Sequence, residues 1–134
     1  MKRRLLIFTL LPLLALGSCA RDNTPSLATP PVYQKISAND AKQIMDSGEE
    51  YILLDVRTEE EFAEGHIKGA ILIPDYELAD RAETELPNKD ARILIYCRSG
   101  RRSANAANAL IELGYTNVYD FGGIIDWPFE TVGG

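Results

Sequence analysis

From Ser37 onward, apolar residues in this 134-residue chain fall into two regimes, unbroken short runs and helically spaced stripes, and the two alternate. Ser37-Ala38-Asn39-Asp40 predicts a helix with Ser37 as N-cap and an apolar face of Ala41, Ile44 and Met45, stopped at Gly48. Tyr51 to Val56 is a continuous apolar run broken only by Asp55, as expected for a strand covered on both faces. Thr58-Glu59-Glu60-Glu61 reads as a capping box that starts a second helix near Phe62. Ala70 to Ile73, ended by Pro74, and Arg92 to Tyr96 predict two further strands. Ala106, Ala109, Leu110 and Leu113 then recur at helical spacing, giving a helix from Ser103 to Leu113 with Gly114 as its stop, and Val118 to Phe121 forms a last strand before Gly122-Gly123. Strands alternating with helices over this length define an α/β domain with a mainly parallel sheet.

The N-terminus follows a different logic. Lys2, Arg3 and Arg4 precede an apolar stretch from Leu5 to Leu16, interrupted only by Thr9 and Pro12. That stretch falls short of the about 20 residues a spanning helix needs, and its flanks match a secretory signal. Leu16-Gly17-Ser18-Cys19 resembles a bacterial lipobox, which implies that Cys19 becomes the lipidated first residue after removal of residues 1–18. Plain secretion is the alternative, although an ordinary cleavage site has no need of the cysteine. Lipidation supplies at least two acyl chains, enough for stable anchoring in a membrane. The expected location is the bacterial cell envelope, facing the periplasm or exterior. Ala20, where Asp would mark inner-membrane retention, points to the outer membrane. Residues 19–31, with Pro25, Pro30 and Pro31 among small polar residues, read as a tether. Residues 32–134 are then enough for one compact domain and too few for two.

Charge narrows the function. Loss of residues 1–18 removes three of the 14 basic residues and none of the 20 acidic ones, leaving a net charge of −9 with His66 neutral. So acidic a chain is not a nucleic-acid binder, since that depends on neutralising phosphates with Lys and Arg.

The candidate chemistry sits at the end of the Arg92–Tyr96 run, in Cys97-Arg98-Ser99-Gly100-Arg101-Arg102-Ser103. Ligand sites of parallel sheets lie beyond the carboxyl ends of the strands, and Cys97 occupies such an end. The first amides of the following helix have no intrahelical partners and carry the positive end of its dipole. A loop curled around Cys97, with Gly100 free to take a left-handed conformation, aims several N–H groups at one point above the sulfur and favours an anion there. A helix N-terminus and neighbouring arginines also favour the thiolate, the nucleophilic form of cysteine. Core cysteines are mostly inert and arginines after a strand are mostly solvated. Both together in one seven-residue strand-to-helix turn define a reactive site.

CRSGRRS, through Cys97, Gly100, Arg102 and Ser103, resembles the active-site loop of the rhodanese domains, the sulfurtransferases. LLDVRTEEEFAEGHIKGAILIP (Leu53–Pro74) and GYTNVYDFGGIIDWP (Gly114–Pro128) are similar to that family's other segments, in the family's order. The resemblance covers about Val32 to Pro128. It implies a three-layer fold with a central five-stranded sheet, and a Cys97 that takes a sulfane sulfur from a donor such as thiosulfate. The persulfide passes its sulfur to cyanide or a thiol, a protein thiol included, and no cofactor takes part. Arg98, Ser99, Gly100, Arg101, Arg102 and Ser103 would bind the substrate. Asp55 and Arg57 match positions of an ionic network supporting the site, with Arg57 expected to pair with Glu60 or Glu61. The sole histidine, His66 in Gly65-His66-Ile67, is expected to be a structural hydrogen-bonding residue, and Trp127 with Gly122-Gly123 packing and turn residues.

With Cys19 lipidated, Cys97 is the only thiol of the domain, so no resolving cysteine completes a dithiol cycle. One histidine and one free cysteine exclude an ordinary zinc site. A phosphatase or arsenate reductase on this scaffold needs an arginine six positions after the cysteine, where Ser103 stands instead. The remaining alternative is a non-turnover persulfide carrier or anion- and partner-binding module of the envelope. Arg101 and Arg102, cationic in an acidic protein, would attract a small dianion or an acidic partner alike.

Overall fold

The computed structural model describes Gly17 and residues 29–134. The expected signal peptide, Cys19 and residues 20–28 of the expected tether lie outside the described residues, Gly17 excepted. Among the described residues no helix is long and apolar enough to cross a membrane.

Five strands, β1 (Gln34–Lys35), β2 (Ile52–Asp55), β3 (Ile71–Leu72), β4 (Ile93–Cys97) and β5 (Val118–Gly123), form one sheet in the order β1-β5-β4-β2-β3. Every pairing is parallel. Helices α1 (Ala38–Asp46), α2 (Glu59–Glu64), α3 (Leu78–Glu85) and α4 (Arg101–Glu112) complete the expected three-layer α/β architecture. Strand β4 is central and all five of its residues are buried, which accounts for its unbroken apolar run. Its alternation splits the core in two. Ile93, Ile95 and Cys97 pack with Leu54, Val56 and Ile73 against Leu78 and Ala82 of α3 and Ala106, Ala107 and Leu110 of α4. Leu94 and Tyr96 face the opposite way, with Leu53, Ala41 of α1, Phe121 and Trp127.

The start of α1 follows its sequence signal. Ser37 Oγ accepts the Asp40 N–H and Asp40 Oδ2 accepts the Ser37 N–H, both at 3.1 Å. Helix α2 begins earlier than expected, at Glu59, with Thr58 Oγ1 accepting the Glu61 N–H at 3.2 Å. The reciprocal half of that capping box does not form because Arg102 takes the Glu61 carboxylate, as described below. Helix α4 also begins earlier, at Arg101 instead of Ser103, and β4 extends to include Cys97. Strand β1 and helix α3 were not among the expected segments.

Parallel pairing of β4 and β5 is interrupted once. Ile95 aligns with Asp120 and Cys97 with Gly123, so β5 advances three residues while β4 advances two. This bulge lies at the carboxyl end of the sheet, directly beside Cys97.

Leu110 is fully buried between α4 and the sheet. Truncation in Leu110→Ala is expected to cost about 3 kcal/mol through lost burial and an unfilled cavity. A urea denaturation midpoint equal to that of the parent protein would contradict the packing described.

Candidate active site

Cys97 ends β4 and is 1% exposed, a free thiol held beneath the loop that leads into α4. Gly100 makes the turn with φ of 106°, in the left-handed region that only glycine adopts cheaply, and serves as N-cap of α4 without a side-chain cap. This curl brings the Gly100 N–H to within 3.0 Å of Cys97 Sγ, donating to it. The first i→i−4 bond of the helix runs from the Ala104 N–H to the Gly100 carbonyl at 3.2 Å, so the amides of Arg101, Arg102 and Ser103 precede the intrahelical ladder. The positive end of α4 thus begins three residues beyond the sulfur.

Ser103 is completely buried one turn into the helix. Its Oγ lies 3.4 Å from Cys97 Sγ, accepting from the thiol, and donates to the carbonyls of Gly100 (3.1 Å) and Gly122 (3.3 Å). A serine hydroxyl rotates to suit its partners, so the same group can turn its proton to a thiolate. Arg98, Ser99 and Arg101 are exposed around this centre. Arg102 is not a free cation: both its terminal nitrogens bond the Glu61 carboxylate, at 2.9 and 2.8 Å, which ties the loop to α2. Of the two loop charges expected to attract an anion, Arg101 therefore stands open and Arg102 is already paired.

Beside the loop, Asp55 and Arg57 form a buried ion pair at the end of β2. Asp55 accepts the Arg57 backbone N–H at 2.9 Å and its Nε and Nη2 at 3.0 and 2.7 Å, and Nη2 reaches the Gly65 carbonyl at 2.7 Å. The expected pairing of Arg57 with Glu60 or Glu61 is thus corrected. Asp55 is two residues away along the same strand end, and Glu61 is claimed by Arg102. Burial opposes the charge on Arg57, and the Asp55 carboxylate more than offsets it, raising the guanidinium above its ordinary value. Tyr96 stands beneath Arg57, its ring centroid 5.6 Å from the guanidinium carbon, and its hydroxyl accepts the Ile67 N–H at 3.1 Å. Burial and then the neighbouring Asp55 carboxylate push the Tyr96 hydroxyl well up, so it stays protonated.

His66 is not at the sulfur. Its Nδ1 lies 2.9 Å from the Phe62 carbonyl and its ring stacks on Phe62 at 3.7 Å, while its backbone pairs with Val132. Among the described residues no cluster of three or more potential metal ligands occurs.

Gly123 is where two chain segments cross. A Cβ there would collide with the Arg98 carbonyl and come within 2.6 Å of Ser99 Cα. The Ile125 N–H donates to that same Arg98 carbonyl at 3.2 Å. A cleft of about 530 Å³ opens next to this crossing, between Arg57, Glu61, Gly65, Arg98, Ile124 and Ile125. A larger one, about 1030 Å³, lies at the opposite end of the sheet around Glu49, Asp90 and Arg92 and is lined by no cysteine.

Taken together, the carboxyl end of a parallel sheet, a buried thiol and a helix N-terminus curled over it define an α/β domain with a cysteine at the positive end of a helix. Residues 37–128 match the model of the rhodanese-like domain, and the chain belongs to that family. It is 40% identical over 81 residues to the thiosulfate sulfurtransferase PspE of Escherichia coli, covering 60% of this chain and 78% of that one. It is also 38% identical over 98 residues to the putative sulfurtransferase YtwF of Bacillus subtilis, covering 73% and 93%. The solution structure of the rhodanese-like domain of Anabaena sp. Alr3790 superposes with a TM-score of 0.69 at 30% identity, over 76% of this chain and 80% of that one. These relatives support sulfur transfer as the chemistry of the domain.

Two outcomes test this geometry. Gly123→Ala must push the Arg98–Ser99 segment away, and is expected to cut the reactivity of Cys97 by about 100-fold, the scale of a misplaced reacting group. Unchanged Cys97 alkylation kinetics in this variant would refute the crossing. The hydrogen bonds from Arg102, against an opposing effect of burial, hold the Glu61 carboxyl below the usual carboxylate range. A depressed carboxyl contributes stability above its unfolded value of about 4.3, and loses that contribution as pH falls through the folded value. The stability gap between the parent and Glu61→Gln is therefore expected at neutral pH and should close on acidification, as read from urea midpoints across the range.

Proposed function

We propose that this chain is a sulfurtransferase that carries a sulfane sulfur on Cys97, taking it from a small anionic donor such as thiosulfate. The Cys97 thiolate attacks the outer sulfur of thiosulfate, the S–S bond breaks, and sulfite leaves with the bonding pair. Cyanide or a thiolate then attacks the terminal sulfur of the persulfide and leaves as thiocyanate or a new persulfide, returning Cys97 as thiolate. Electrons balance without an added oxidant, and no histidine base is needed at any step.

The observation that carries this reading is the position of Cys97 Sγ, 3.0 Å from the donating Gly100 N–H at the mouth of α4. A persulfide adds one more anionic atom along that direction, towards the amides of Arg101 to Ser103. Arg101 and Arg98 stand exposed at the rim, where they attract the incoming dianion. Ser103 argues against a phosphatase. Its hydroxyl packs 3.4 Å from the sulfur at the position such an enzyme gives to arginine, and leaves the loop suited to a smaller adduct.

On this reading residues 1–18 direct the chain to the bacterial envelope and Cys19 is lipidated, placing sulfur transfer on the periplasmic or outer face of a membrane. Metabolic labelling with a radioactive fatty acid, lost in Cys19→Ser, tests that part separately.

Intact-mass spectrometry after incubation with thiosulfate tests the half-reaction. The expected gain is one sulfur atom, removed by cyanide as thiocyanate and absent from Cys97→Ser. A folded protein that gains no mass from thiosulfate sinks the assignment of this donor.

A further inference from the structure

Asp120 is a completely buried carboxylate that the transfer chemistry does not use. It lies on β5 opposite Ile95, with Val118 two residues before it packed under α4. Its Oδ1 accepts the Gly122 N–H at 2.9 Å, while its Oδ2 has no hydrogen-bond partner. An unpaired buried carboxylate oxygen destabilises a fold, and an apolar side chain of similar size would avoid the loss. A residue held there for packing alone would not be aspartate.

The bond it does make falls at the β5 bulge. Phe121 and Gly122 together stand against the single residue Tyr96 in that bulge, and Gly122 has φ of 90°, a conformation that needs to be held. The Gly122 carbonyl accepts from Ser103 Oγ, which in turn accepts from Cys97 Sγ, and Gly123 is the residue crossed by Arg98 and Ser99. An unbroken series of contacts therefore runs from the Asp120 carboxylate through Gly122 and Ser103 to the sulfur. A second contact point is the Gly100 turn, where an added Cβ would meet Gly122 Cα at 3.6 Å.

We propose that Asp120 is a positioning residue for Cys97, its buried carboxylate fixing the bulge that seats Gly122 and Gly123 against the nucleophile loop. Without an acceptor, the Gly122 N–H is orphaned beneath the loop and the bulge relaxes. Ser103 then loses one of its two carbonyl acceptors, that of Gly122, and the sulfur its alignment. This inference rests on Cys97 as the reacting group. The donor anion meets Arg98 and Arg101 at the rim, away from Asp120, so the effect falls on the chemical step and not on donor binding.

The test compares Asp120→Asn, which keeps an oxygen acceptor, with Asp120→Leu and Asp120→Ala, which do not. In the thiosulfate–cyanide reaction the Leu and Ala variants are expected to lose about 10- to 100-fold in kcat at nearly unchanged KM for thiosulfate, with Asn close to the parent. Amide resonances of Gly100, Gly122 and Gly123 should shift in Leu and Ala and hold in Asn. Two substitutions without an acceptor keep the comparison open if one fails to fold. Leu and Ala variants with parental kcat or parental glycine resonances would overturn the proposal, as would Asn behaving like Leu. If the parent protein does not turn over thiosulfate, the donor assignment fails on its own. The glycine resonances and the iodoacetamide alkylation rate of Cys97 then decide the role of Asp120 by the same criteria.

Discussion

The carbonyl of Arg98 and the Cα of Ser99 lie so close to Gly123 that no side chain fits between them, and this crossing sets the shape of everything around the sulfur. It exists because β4 and β5 are parallel neighbours whose carboxyl ends both turn back over the sheet, one into α4 and the other into the 3₁₀ turn at Ile124–Asp126. The Ile125 N–H fastens the two ends together through the Arg98 carbonyl. With the loop pressed down there, Gly100 must curl upward in its left-handed conformation, and that curl is what carries its N–H to the sulfur. One steric constraint thus converts an ordinary strand–helix connection into a cradle.

Charge is arranged around that cradle with the same economy. Two ion pairs flank it, one sealed and one at the rim. Asp55 and Arg57 are buried together at the end of β2, where Arg57 also spans to the Gly65 carbonyl and so holds the segment after α2 in place. Burying such a pair is seldom a gain in stability over well-packed apolar residues, but its directional bonds specify one geometry. Glu61 and Arg102 join α2 to the first turn of α4 across 41 residues of chain. Arg102 therefore acts on the loop chiefly as a strut, and the open positive charge of the loop is that of Arg98, Arg101 and the leading amides of α4.

Much of this was legible in the residues themselves. The unbroken run Ile93–Tyr96, the apolar stripe of α4 and the Ser37 cap each announce their element because a single local force dominates there. What stayed hidden obeys longer-range rules. Strand β1 consists of Gln34 and Lys35, both exposed, and is a strand only because β5 offers its edge. Helix α3 buries only Leu78 and Ala82 within its length, with Leu86 just beyond, and Glu77 gives it no side-chain cap; its stripe was readable but thin. At the site, Cys97, Gly100 and Ser103 were visible through their spacing. The partner of Arg57 was not, since Asp55, Glu60 and Glu61 all lie within four residues of it and only the end of β2 decides among them. Asp120 gave a faint signal, a lone acid inside an otherwise apolar strand beside a double glycine.

A parallel sheet also has a polarity that concerns the whole molecule. Every strand begins at one pole of the domain and ends at the other, and Cys97 sits at the finishing pole. Strand β1 runs alongside β5 in the same sense, with Gln34 level with Tyr119, so residue 33 arrives from the starting pole. The entry of the chain into β1 and the thiol at the end of β4 thus stand at opposite poles of the sheet.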